Sequence, residues 1–549
     1  MAESPDQQAS AKAAPAKKAA PRRAVAQKAA SPKPRATKSP AAKTATSPAE
    51  GTAREAKPAS EKPAKKTPNT RATPKKAPKK LRGNETVTQA RRMGGWDFAT
   101  WRMATDDPVM RSTILGVMVL EKQPDWERLC ERFDRASRLA PVLRSKVVEG
   151  PLDFQTPRVV VDPDFDLSFH MRRFSMPKGS AWNDVLDVAR RASMADFDKD
   201  RPLWQVTLLE DLPGGRSVVI QKLHHAIADG QGAVQLGMAL LDFTEEPADL
   251  GPMPAAPEPV VLDSTGFMQA VLRNNLDRAS KAAETVIKGA VPFALSAIKS
   301  PLDMLGKLRE TADSLLRFTK VPLGPMSPIM QGRSINYHFD TIEMDFEQFR
   351  AAAAKREYTV NDLFLAAISV GMHHYHQEMG HPVAGLRMNM PISLRTSADQ
   401  TNAVTIARFE IPISNAIDDV LATAADTVRS WRAEPALKLA DYLADLSRFL
   451  PPDLVSAAAQ TSDLTASNVP GVPLPVWLAG AKVERMYPLV GTIGAAINVT
   501  MLTYNGTANI GVSSDDAAIG DRAQLIESLR HGFTQLLGPD ALTGDPLST

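Results

Sequence analysis

Nothing in the first 84 residues can build a hydrophobic core, so any folded body in this chain has to come after them. Residues 1–84 hold 21 Lys+Arg against 5 Asp+Glu, with no aromatic, no isoleucine and little beyond alanine that is apolar, Val25 and Leu81 among it. Such a composition leaves too little apolar surface to offset the entropy of ordering. Blocks such as Pro74-Lys75-Lys76-Ala77-Pro78-Lys79-Lys80 predict an extended, self-repelling, disordered tail in which the prolines prevent long helices. The chain's mild formal charge of +4 hides this division. Removing the tail's 21 and 5 from the totals of 66 and 62 leaves 45 basic and 57 acidic residues in the remainder. A cationic tail on an acidic body is drawn to a polyanion, either an anionic lipid surface or nucleic acid, in a salt-dependent way. A plain solubilising tether without a fixed partner would have the same composition.

The single cysteine, Cys130, excludes an internal disulfide framework and suits a reducing compartment. It falls in a helical-looking stretch, residues 127–133, and is read as a packing residue. No apolar region follows Met1 as in a signal peptide, and no run of about 18 apolar residues lacks a charge. A cytoplasmic protein, attached peripherally to a membrane or lipid droplet rather than spanning it, is the expectation. The tail's proline density argues against the amphipathic helix of an organelle transit peptide.

Beyond the tail the pattern is α/β. Strands are expected at 113–120, 158–161, 204–209 and 217–223, with helices at 124–139 and 182–194. A proline-rich break (Pro252, Pro254, Pro257, Pro259) leads into residues 264–322, which are basic, amphipathic and almost free of strand signal. This stretch predicts a helical connector, with apolar spacing that suits a lipid surface or packing across two halves. The second half again mixes elements: a helix at 361–377 ending near Gly380, a strand at 387–390, and a hairpin joining 497–504 to 507–512 through Asn505-Gly506. The division expected is therefore a tail at 1–84, an N-terminal α/β half at 94–255, a connector at 256–334 and a C-terminal half at 335–549.

The chemistry concentrates in one run. Ser217-Val218-Val219-Ile220-Gln221-Lys222-Leu223 ends in His224-His225, and Asp229-Gly230 then opens a helix with apolar residues at Ala233, Leu236, Leu240 and Leu241. This H-H-x-x-x-D-G pattern sets an imidazole at a strand end beside a cleft, a good place for a general base. Successive strand side chains face opposite ways, so only one of the two histidines can meet a substrate. Asp229 suits an N-cap and Gly230 a close approach or positive φ. Zinc is not expected: adjacent histidines diverge, and no further ligands complete a tetrahedral set. His373, His374, His376 and His381 read as the solvated face of a helix end, and Thr359 to Asp362 as a capping box.

With Arg201-Pro202-Leu203-Trp204 and Arg216, the motif resembles the wax ester synthase/diacylglycerol acyltransferase family of the chloramphenicol-acetyltransferase-like superfamily. Further blocks follow in the family's order from about Trp96 to the C-terminus: Phe165-Asp166-Leu167 with His170, Val360-Asn361-Asp362, Pro391-Ile392-Ser393-Leu394-Arg395 and Ser467-Asn468-Val469-Pro470-Gly471. The chain departs from the family at Gly95-Trp96-Asp97, Asp196-Phe197-Asp198 and Pro470-Gly471-Val472-Pro473, where acceptor and acyl pockets are built.

The resemblance implies two acyltransferase subdomains with mixed sheets, joined by the connector, with a substrate tunnel between them. It also implies direct transfer from acyl-CoA, a co-substrate rather than a bound cofactor, to diacylglycerol, giving triacylglycerol, with wax esters from long-chain alcohols as a further product. Transfer to another hydroxyl or amine is the alternative, as is a lipid-droplet or nucleic-acid binding protein acting through its tail. His225 would be the general base, His224 a structural residue, and Asp229 the orienter of their loop. Asn468, in an expected turn, would be an oxyanion or acceptor contact. No G-x-S-x-G elbow is present, in keeping with direct transfer. No glycine-rich phosphate loop is present either, so scattered basic residues would have to hold coenzyme A.

Overall fold

β-branched runs in this chain become strands that are buried on both faces, the environment such side chains fill best. The computed structural model describes residues 91–149, 156–228, 230–246, 249–259, 324–393, 404–432 and 452–547. The expected tail at 1–84, most of the connector, residues 260–323, and Asp229 lie outside the described residues.

The strands in chain order are β1 (Arg91–Arg92), β2 (Thr113–Leu120), β3 (Ser145–Val148), β4 (Arg158–Val161), β5 (Met171–Ser175), β6 (Trp204–Glu210), β7 (Ser217–His224) and β8 (Tyr337–Asp345). After these come β9 (Gly385–Ser393), β10 (Val404–Pro412), β11 (Leu464–Val472), β12 (Trp477–Leu478), β13 (Ala481–Val490), β14 (Ile497–Tyr504) and β15 (Thr507–Asp515). They form a small sheet, β1-β4-β3, and two six-stranded mixed sheets, β12-β13-β2-β7-β6-β5 and β10-β9-β11-β14-β15-β8.

Both large sheets carry apolar side chains on each side. On β2, Met118 and Leu120 enter one core cluster while Leu115, Val117 and Val119 enter another. The helix Trp126–Leu139, capped by the Asp125 carboxylate accepting the Arg128 N–H, covers the first cluster with Leu129, Phe133 and Ala136. Cys130 packs half-buried against it, and burial pushes its thiol up, as expected of an unreactive packing residue. In the second half the helix Val360–Glu378 starts at the expected capping box: Thr359 Oγ1 accepts the Asp362 N–H, and the Asp362 carboxylate accepts the Thr359 N–H. The β14–β15 hairpin turns through Asn505 (φ 43°) and Gly506 (φ 84°), the left-handed pair that a tight hairpin requires.

The two sheets do not divide at a single point in the sequence. β13, from the second half, pairs antiparallel with β2 from Ile114↔Val490 to Leu120↔Val483, and so belongs to the first sheet. It runs so close to β15 that a Cβ on Gly511 would lie 1.9 Å from the Pro488 carbonyl oxygen. Only glycine fits that crossing.

Three local expectations are corrected. Ser467 to Gly471 is not a turn but part of β11, bulged between Val469 and Val472. The helix after the histidines, Gly230–Met238, stops short of Leu240 and Leu241. His376 is not solvated: it is fully buried, with Ser327 Oγ 2.9 Å from Nε2 and the Met372 carbonyl 2.8 Å from Nδ1.

Candidate active site

β7 is the strand that presents the histidine pair, and main-chain bonds on both sides fix where it ends. The His224 N–H donates to the Leu203 carbonyl (3.0 Å) and the His225 N–H to the Ser112 carbonyl (2.8 Å), so the lead-ins of β6 and β2 hold the two residues from opposite sides. Alternation then sorts the side chains. Gln221, Leu223 and His225 line a cavity of about 500 Å³ between the two large sheets, while Lys222 and His224 turn to the other face. That volume is typical of a small-molecule site.

His224 is a buried structural residue. Its Nδ1 accepts the Ala226 N–H (3.0 Å), and the rings of Trp101 and Phe197 each sit 5.7 Å from it. Burial, followed by the charges of His225, Lys199 and Lys222, pushes its pKa down to about 3. The unfolded chain binds this proton near pH 6.5 and the native one does not, so the term is harmless above pH 6.5 and erodes stability as pH falls from there towards 3. We expect His224→Asn, which keeps an acceptor for the Ala226 N–H, to lower stability at pH 7 but to flatten its decline between pH 6.5 and 4. Urea unfolding across that range measures both, and an unchanged slope would show that His224 is not the group responsible.

Facing His225 across the cavity, the second sheet contributes a polar lining that sequence reasoning largely missed: Asn389, Asn468, Asn498 and Thr500. Asn498 is committed to structure, its Nδ2 donating to the Gly491 carbonyl (3.2 Å) and its Oδ1 accepting from Thr500 Oγ1 (2.8 Å). Asn389 is half committed. Its Oδ1 accepts from Ser462 Oγ (2.9 Å) and Arg408 Nε (3.3 Å), which leaves the Nδ2 protons without a partner among the described residues. Asn468, singled out from sequence, lines the cavity with no side-chain hydrogen bond among the described residues. The remaining walls are chiefly apolar, with Val234, Met238, Ile392 and Leu502 among them. An imidazole, amide donors without partners among the described residues and an apolar enclosure are groups that could serve attack of a hydroxyl on an acyl carbonyl. Asn361 also reaches the lining, its Nδ2 3.9 Å from Met390 Sδ.

Other residues singled out from sequence stand behind the site. Trp204 stacks on His170 at 4.4 Å and donates from Nε1 to the Leu143 carbonyl (2.6 Å), which holds the Leu203 carbonyl where His224 needs it. Arg216 Nε donates to Glu484 (2.7 Å), clamping the start of β7 to β13. Phe197, in the segment that departs from the family pattern, packs against the His224 ring and lies 4.0 Å beneath the Lys222 ammonium. It supports the strand carrying the histidines. Gly230 begins the helix Gly230–Met238 along the cavity; Leu394 and Arg395 lie outside the described residues. Among the described residues no three His, Cys, Asp or Glu side chains gather to hold a metal ion.

Comparison with known proteins agrees with this geometry. Residues 93–364 match the wax ester synthase/diacylglycerol acyltransferase catalytic domain, and residues 401–537 match the C-terminal domain of the same family. A Mycobacterium tuberculosis protein that bears the name diacylglycerol O-acyltransferase is 30% identical over 447 residues, covering 80% of this chain and 90% of its own length. A second from that organism is 26% identical over 473 residues, covering 81% and 97%. The solved wax ester synthase/diacylglycerol acyltransferase of Marinobacter aquaeolei VT8 superposes with a TM-score of 0.52 at 18% identity, over 81% of this chain and 98% of that one. The starter condensation domain of rhizomide synthetase, solved with C8-CoA, gives 0.53 at 14% identity, over 83% and 96%. The fold is thus the two-body α/β fold that these enzymes share.

Proposed function

The chain belongs to the wax ester synthase/diacylglycerol acyltransferase family, and on that premise we propose that it esterifies diacylglycerol to triacylglycerol with acyl-CoA as donor. His225 is the general base of this reading. The imidazole takes the proton of the acceptor hydroxyl as its oxygen attacks the thioester carbonyl, and the new C–O bond replaces the C–S bond. The proton then passes to the departing thiolate, leaving free coenzyme A. The side-chain amide protons of Asn468 are the candidate partner for the oxyanion in between, and the apolar walls suit the acyl chain.

The single observation that carries the reading is the position of His225, the one histidine of the pair on the cavity wall between the two sheets. No helix among the described residues is long and apolar enough to cross a membrane. With one water-insoluble and one amphiphilic substrate and 21 basic residues in the tail, the proposed place of work is a lipid surface approached from the aqueous side.

The test offers purified full-length protein palmitoyl-CoA with dioleoylglycerol and hexadecanol in competition, and resolves the products by mass spectrometry. Triacylglycerol is expected to exceed wax ester. Wax ester in excess would overturn the acceptor assignment, and neither ester above a no-enzyme control would overturn the reading altogether.

A further inference from the structure

We propose that Arg408, on the cavity-facing side of β10, anchors a phosphate of the donor's coenzyme A, with Asn389 fixing the guanidinium's orientation. This rests on the acyl-CoA reading above and supplies the donor contact that the sequence could not name.

The strand register carries the placement. In the antiparallel β9–β10 pair, Ile406 lies opposite Pro391 and Arg408 opposite Asn389. Ile406, Pro391 and Asn389 all line the cavity. Residues two apart on a strand share a face, so Arg408 continues the face of Ile406. Its Nε donates to Asn389 Oδ1 (3.3 Å), the only side-chain hydrogen bond Arg408 makes among the described residues, so Nη1 and Nη2 remain available to a ligand.

The surrounding charge favours an anion. Burial, then the neighbouring Arg387, pushes Arg408 down to about 10, which still leaves it cationic at neutral pH. Among the described residues no carboxylate is paired with it. Glu410 is mostly exposed and sits 4.0 Å from Arg387 Nη2, and both oxygens of Asp463 are occupied by the main-chain N–H groups of Met326, Ser327 and Arg387. Among the described residues the largely desolvated Arg408 guanidinium therefore has no close counter-ion, whereas Arg387 has Glu410 and the carbonyls of Gly324 and Thr461 as partners. An arginine with its Nη1–Nη2 edge free matches the paired oxygens of a phosphate, the anionic group that the donor carries.

The position along the sheet fits a donor with a charged head and an apolar tail. β10 is the edge strand of its sheet, while Asn468 and Asn498 lie on the interior strands β11 and β14. A phosphate held at the edge leaves the pantetheine arm to carry the thioester inward towards His225.

The test uses the full-length chain, with free coenzyme A binding followed by calorimetry and turnover compared between palmitoyl-CoA and palmitoyl-pantetheine, which lacks the nucleotide and its phosphates. Arg408→Gln should weaken coenzyme A binding and raise KM for palmitoyl-CoA by roughly 10- to 100-fold, the worth of hydrogen bonds to a charged group, with kcat little changed. KM for palmitoyl-pantetheine should move less than about twofold, and Arg408→Lys, which keeps the charge but loses the fork, should fall between wild type and Arg408→Gln. The assignment is overturned if both donors suffer equally, if coenzyme A binding is unchanged, or if the variant loses binding to phosphatidate vesicles and not to coenzyme A. Wild-type protein that binds coenzyme A through Arg408 but esterifies neither acceptor would sink the acyltransfer reading and leave the anchor standing.

Discussion

Replacing His225 with alanine should lower turnover by a factor of roughly 10² to 10⁴, the usual worth of a positioned general base, while the protein stays folded. The expectation of retained folding comes from geometry. The main chain at this position is held through the His225 N–H and the Ser112 carbonyl, which alanine preserves, and the side chain reaches the cavity rather than the packed core. His224→Ala differs in kind, because it leaves the Ala226 N–H without its acceptor and opens a gap between Trp101 and Phe197. Its loss should appear first as a lower unfolding midpoint. Single-turnover rates with palmitoyl-CoA and dioleoylglycerol, set beside urea midpoints for both variants, separate the two roles. Near wild-type turnover in His225→Ala at an unchanged midpoint would rule out the base assignment.

Local patterning made most of the elements around the site readable. The helix expected at 182–194 is Trp182–Met194, and the strand expected at 113–120 is Thr113–Leu120, because apolar periodicity and flanking turn residues are local quantities. The strand that ends in the histidines, the capping box at Thr359 and the Asn505-Gly506 hairpin were readable for the same reason. Pairing between distant segments was not. Nothing around residues 481–490 shows that β13 leaves its neighbours in sequence to pair with β2. The polar lining was hidden by a related ambiguity. Asn389, Asn498 and Thr500 alternate with apolar residues just as a solvated strand face would, and only the opposed sheet turns that face into a cavity wall. His376 misled for the opposite reason: it sits among polar helix-end residues, yet Ser327, from the far end of the connector, bonds its ring.

The second large effect is expected from that crossing strand. Glu343 on β8 is buried, and its carboxylate accepts from Arg485 Nε to both oxygens (2.8 and 2.7 Å), from the Tyr487 hydroxyl (2.7 Å) and from Thr543 Oγ1 (2.8 Å). Glu343 belongs to one large sheet, whereas Arg485 and Tyr487 belong to β13 in the other, so this one carboxylate bonds the two sheets together. Burial, reinforced by the Glu343 charge, pushes the Tyr487 hydroxyl up, which keeps it a donor at any pH the protein meets. Glu343→Ala removes every acceptor at once, leaving the buried Tyr487 hydroxyl unpaired and Arg485, among the described residues, with only its bond to the Glu484 carbonyl (2.9 Å). Arg485 is 35% exposed and can turn to water, so the cost falls mainly on the buried Tyr487 hydroxyl left without an acceptor, about 1 to 3 kcal/mol, still a sizeable part of the roughly 5 to 15 kcal/mol that holds a domain together. Tyr487 and Pro488 also line the cavity, so activity should fall with stability. Replacing both partners with apolar residues of similar size, Glu343→Leu with Arg485→Met, should recover part of the loss, since apolar side chains then fill the space that alanine leaves empty. Urea unfolding of the single and double variants completes the cycle. A Glu343→Ala cost below about 1 kcal/mol, the range of an exposed ion pair, would mean that the crossing strand is held by its β2 register alone and that the carboxylate is incidental.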